Sequence, residues 1–88
     1  MTDEPWSIGF IPRGRKDLDR LDPQVRRRVY TALERVTEDP RSGQLSRLVG
    51  RPEYKLRVGE WRIIIELDQG ARTVVVHRVL PRGRAYDR

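Results

Sequence analysis

No cysteine occurs in these 88 residues, only one histidine, His77, and only two lysines, Lys16 and Lys55. Without cysteine there is neither a disulfide framework nor a thiolate metal site, and the redox compartment is left open. A lone histidine with no carboxylate at ligand spacing beside it argues against a metal centre. It equally gives no support to a serine or cysteine nucleophile served by a histidine base. His77 sits in an apolar run, which favours a structural histidine accommodated in a sheet. No apolar stretch approaches the roughly 20 residues that span a bilayer. Residues 1–6 also lack the basic-then-apolar layout of a signal peptide, so a cytoplasmic protein that engages no membrane is expected. There is no internal repeat, low-complexity tract or linker-like shift in composition, and no cofactor is expected.

What is present is charge. Hydrophobic and charged residues each make up 36% of the chain, which suits a globular protein with a densely charged surface. At 88 residues the expectation is one domain, 1–88, with a single modest core. The formal net charge of +6 and a pI near 10.7 favour an acidic partner, of which nucleic acid is the commonest. Almost all the cations are arginines, so Lys55 stands out.

Residues 53–65 read as a tight β-hairpin. Two alternating runs flank Gly59-Glu60, and glycine at the first central position suits a two-residue type II′ turn. That turn sets Val58 opposite Trp61, Arg57 opposite Arg62, Leu56 opposite Ile63, Lys55 opposite Ile64 and Tyr54 opposite Ile65. Side chains alternate across a strand, so Tyr54, Leu56, Val58, Trp61, Ile63 and Ile65 share a core face. Lys55, Arg57, Arg62, Ile64 and Glu66 share the other. Like charges directly opposed destabilise a ladder by roughly 0.2–1 kcal/mol, so an anion is expected between Arg57 and Arg62. A solvated outer face, partly neutralised by Glu66 or Glu53, is the alternative reading.

Elsewhere the spacing predicts a short strand over 6–11 with Trp6 and Ile8 inward, ended by Pro12. A short amphipathic helix over 13–21 carries Leu18 and Leu21. Asp22-Pro23 is a helix start, with aspartate as N-cap and proline at the first helical position. Val25, Val29, Ala32, Leu33 and Val36 then form the apolar stripe of the main helix, which stops before Pro40. Its Arg26-Arg27-Arg28 run reads as a solvated face that can also touch a phosphate backbone. Residues 41–52 read as a loop whose Leu45 and Leu48 close the core, and 73–80 as a last, central strand. The result is an α+β domain with two N-terminal helices on one face of a small, mostly antiparallel four-stranded sheet, in the order β-α-α-β-β-β. The other face is left open, bearing Lys55, Arg57 and Arg62.

Clustered cations with an aromatic residue suffice for metal-free cleavage of RNA, whose ribose 2′-hydroxyl is its own nucleophile. A base must take the 2′-proton, cations must offset the charge on the phosphorane oxygens, and an acid must protonate the departing 5′-oxygen. Lysine among arginines is a better base, because like charge lowers its pKa. Arginine stays charged and its fork fits phosphate. Tyrosine can stack on an unstacked base.

The segment 16–22, the Leu48-Val49-Gly50 loop, the Leu-Arg-Val-Gly-Glu-Trp-Arg-Ile-Ile run over 56–64 and the Arg-Gly-Arg-Ala-Tyr end over 82–86 together resemble the RelE/ParE superfamily of bacterial toxins. The resemblance spans nearly the whole chain. In the RelE branch it implies a ribosome-dependent mRNA endonuclease held in a hetero-oligomer by a cognate antitoxin. It implies Lys55 as general base, Arg57 as phosphate and RNA contact, and Arg62 as transition-state stabiliser. Arg82 becomes general acid or second phosphate clamp and Tyr86 the stacking residue, with Arg78 and Arg84 as neighbouring RNA contacts. Two positions depart from the RelE pattern. Glu53 stands where a second lysine is frequent, and Pro81 where a basic residue or histidine is. In the ParE branch the resemblance implies instead a toxin that inhibits DNA gyrase without cutting.

Overall fold

A computed structural model of the chain describes residues 6–40 and 45–81. The elements run β1 (Ser7–Phe10), α1 (Pro12–Asp19), α2 (Pro23–Glu38), β2 (Leu45–Arg47), β3 (Tyr54–Val58), β4 (Trp61–Asp68) and β5 (Thr73–Pro81). Both helices pack on one face of a single sheet ordered β1-β5-β4-β3-β2. β1 runs parallel to β5 and all other neighbours are antiparallel. The α+β class and the mostly antiparallel sheet are as the sequence implies, but the strands number five rather than four. The added one is β2, three residues inside the expected loop, paired to the edge of β3 with Leu45 opposite Leu56. Three residues are too few for an alternating period to register.

The main helix begins as its sequence dictates. Asp22 accepts a hydrogen bond from the Gln24 amide at 3.1 Å, and Pro23 opens the first turn. Val29, Leu33 and Val36 are buried against Leu56, Ile63, Ile65, Val74, Val76 and Val79 of the sheet, and Leu18 and Leu21 join them from the α1 side. Arg26 turns back to donate to the Leu21 carbonyl at 2.9 Å, so of the three consecutive arginines only Arg27 and Arg28 are exposed.

The opposite face is not wholly open. Leu48, expected over the helix end, lies instead across the sheet with Ile64 and Leu80 in a second small apolar cluster. The alternation of β2 explains this: Leu45 shares the core face with its partner Leu56, so Leu48, three residues on, falls on the other side.

β5 carries a bulge. Ile64 pairs with Arg78 and Ile65 with Val76, which leaves His77 as the extra residue. β1 ends at Phe10 opposite Val76, and α1 takes over along β5 from there. Gly14 makes this approach possible, because a Cβ at that position would lie 2.4 Å from the Val76 carbonyl oxygen.

Candidate functional site

The β3–β4 hairpin has the register its turn implies at all five pairs, from Val58 opposite Trp61 to Tyr54 opposite Ile65. Gly59 holds φ at +58°, as the first central residue of a type II′ turn requires. Arg57 therefore stands directly opposite Arg62, and Lys55 opposite Ile64.

The two arginines are placed differently. Arg62 is buried, at 7% exposure, and its Nη1 donates to the carbonyls of Trp61 at 3.1 Å and Gly59 at 3.3 Å. The negative ends of those two carbonyl dipoles offset part of its charge, which is one way the opposed arginines are tolerated. Arg57 is exposed, and among the described residues it has no hydrogen bond or ion pair. Neither nearby carboxylate is committed to it. Glu53 accepts from Arg51 at 3.1 Å and Glu66 pairs with His77 at 2.9 Å. Lys55 is half-buried in the same face.

Arg57 also reaches the strand edge, where it lines a groove of about 820 Å³ between α2 and β3. Arg27, Arg28 and Arg35 line its helix side, Ala32, Val36, Leu56 and Val58 its apolar floor, and Glu38 and Asp39 its far end. The Arg28 guanidinium lies over the hairpin turn, with Nη2 2.8 Å from where a Cβ on Gly59 would sit. The arginines of the helix and of the hairpin thus form one cationic band around the β3 edge. Sequence periodicity pointed to Arg28 only as part of a charge run and did not connect it with Arg57.

Of the other residues the sequence singles out, Arg78 is drawn away from the hairpin cations. Its Nε donates to Asp17 of α1 at 2.7 Å, and the same carboxylate oxygen accepts from the Val79 amide at 2.9 Å. Asp17 has no local signal, being 61 positions from Arg78. Arg82, Arg84 and Tyr86 lie outside the described residues. Among the described residues no group of three or more histidine, aspartate or glutamate side chains could hold a metal ion, and no helix is long and apolar enough to cross a membrane.

A helix pair on one face of a five-stranded sheet, with a cationic β3–β4 hairpin within it, places the chain among the toxins of the RelE/ParE superfamily. The structure is similar to a chain of the RelBE2 toxin–antitoxin complex of Mycobacterium tuberculosis, at 28% identity and a TM-score of 0.74 over 90% of this chain and 100% of that one. It is similar at 28% identity and a TM-score of 0.76 to a chain of the intact Escherichia coli RelBE complex, over 90% of this chain and 99% of that one. The isolated Escherichia coli RelE toxin shares the fold, with a TM-score of 0.78 at 22% identity over 91% of this chain and 87% of that one. No curated protein sequence matches the chain. The family described as the ParE toxin of the type II toxin–antitoxin system parDE matches residues 10–86, and the chain belongs to that family.

Proposed function

We propose that this toxin is an endoribonuclease that cleaves mRNA, on the ribosome, by attack of a ribose 2′-hydroxyl on the adjacent phosphate. The observation that carries the reading is Arg57 facing Arg62 across the hairpin with Lys55 on the same face. Three cations held at fixed spacing on a rigid ladder match what the reaction needs, with Lys55 receiving the 2′-proton and the guanidinium groups offsetting the charge that builds on phosphorus-bound oxygens. Arg62 has five N–H donors, and its carbonyl contacts through Nη1 leave others for a phosphate. By resemblance Arg82 adds a further contact and Tyr86 stacks on a base. The likeness to RelE-containing complexes supports the same chemistry. The scheme calls on no metal and no cofactor.

The cognate antitoxin is the natural occupant of the groove beside α2. An acidic amphipathic segment would set its apolar side on Ala32, Val36, Leu56 and Val58 and its carboxylates on Arg27, Arg28, Arg35 and Arg57. Such a segment takes Arg57 out of reach of RNA.

Induced expression of the wild type beside Arg62→Ala in a bacterial host, followed by primer extension on abundant mRNAs, tests the reading. New cuts within coding regions during growth arrest, lost in Arg62→Ala, are expected. The match to the ParE family supports a second reading, inhibition of DNA gyrase. Growth arrest with intact mRNA and a DNA-damage response would establish that one instead.

A further inference from the structure

The ribonuclease reading leaves one role poorly filled. When the 5′-oxygen leaves phosphorus it needs a proton, and arginine, which stays charged at any ordinary pH, gives one up reluctantly. Histidine is the side chain whose ordinary titration falls between pH 5 and 8, and this chain has one. Its sequence setting suggested only a residue accommodated in a strand. The fold places it otherwise. The bulge in β5 leaves His77 without a partner on β4, between the Ile64–Arg78 and Ile65–Val76 pairs. Its Nε2 lies 2.9 Å from Oε1 of Glu66, on the face that also carries Lys55, Arg57 and Arg62. The histidine side chain is 25% exposed and the glutamate 47%, so the pair is open to a ligand on that face.

We propose that His77, oriented by Glu66, is the general acid of this site. The assignment rests on the ribonuclease reading and deepens it. β3 and β5 flank β4, so Lys55 and His77 rise from strands about 10 Å apart, one on each side of β4. A base and an acid serving one phosphorus atom must approach it from opposite sides, which side chains on the two strands flanking β4 can do. Neutral Lys55 takes the 2′-proton as the 2′-oxygen bonds to phosphorus. The bond from phosphorus to the 5′-oxygen breaks, and the imidazolium of His77 transfers its proton to that oxygen. The products are a 2′,3′-cyclic phosphate and a 5′-hydroxyl, with lysine charged and histidine neutral. The glutamate carboxylate holds the ring by Nε2 and leaves Nδ1 for the substrate. Arg78, the next residue, is held by Asp17.

The test is single-turnover cleavage by purified, antitoxin-free toxin of mRNA in programmed ribosomes, with either a normal phosphodiester or a 5′-phosphorothiolate at the cut linkage. Sulfur departs without protonation. His77→Ala and His77→Gln should lose roughly 100-fold or more on the oxygen linkage and regain near-wild-type rates on the sulfur linkage. Glu66→Gln should show a smaller loss with the same recovery. Thermal melts of the variants identify those that fold. If a folded His77 variant cuts both linkages as the wild type does, or loses equally on both, the assignment is overturned while the ribonuclease reading stands. If the wild type cuts neither linkage, that reading falls and the assignment with it.

Discussion

Asp17 shows how much one side chain can settle in a small domain. β1 stops at Phe10, so beyond Val76 the edge of β5 has amide groups with no strand beside them. One oxygen of Asp17 accepts from the Val79 amide at 2.9 Å and from Arg78 Nε at 2.7 Å, which satisfies a backbone donor and joins α1 to β5 in a single contact. The side chains are only 12% and 23% exposed, so the pair is screened far less than a surface ion pair. Asp17→Asn removes the charge from both hydrogen bonds and is expected to lower stability by about 2 kcal/mol, measured by urea unfolding. Asp17→Glu, which keeps the charge but not the reach, should recover only part of the loss.

Helix α1 is held to β5 by close approach more than by propensity. It is eight residues long, too short to be stable alone. It gains its place through buried Leu18 and through Gly14, where a Cβ would meet the Val76 carbonyl oxygen at 2.4 Å and neighbouring backbone at 3.0 Å. Those atoms are main chain and cannot swing aside. Gly14→Ala should therefore destabilise despite alanine's better helix propensity, by about 1–3 kcal/mol as overpacking does, read as a lower urea midpoint. The hairpin differs in this respect. At Gly59 the obstacle to a Cβ is the mobile end of Arg28, and the φ of +58° is the stricter reason for glycine.

The whole molecule carries a net charge of +6, and Arg27, Arg28, Arg35 and Arg57 come together where the hairpin meets α2. Binding of single-stranded RNA through such contacts releases counterions, so log K falls with log salt by about 0.7 per phosphate contacted. Engagement by Lys55, Arg57 and Arg62 predicts a slope of roughly −2, reduced by about 0.7 in Arg57→Ala. Fluorescence anisotropy of a labelled RNA oligonucleotide across salt concentrations measures both. A slope unchanged in Arg57→Ala would place this residue outside the RNA contact and leave it to the groove.

The hairpin register, the Gly59 turn and the Asp22-Pro23 helix start were legible in the sequence, because each depends on backbone conformations and side-chain periods within a few residues. The apolar stripe of α2 was legible for the same reason. β2 was not, since a three-residue edge strand exists only through its pairing with β3. Nor was the crossing of Leu48 to the second face, or the bulge that presents His77 to Glu66. The run Val74-Val75-Val76-His77 has no break in pattern where the bulge falls. The capture of Arg78 by Asp17 and the gathering of Arg57 with Arg28 and Arg35 join residues far apart in the chain. Local chemistry decides what each segment becomes, whereas these contacts arise only once packing of the helices on the sheet brings distant segments together.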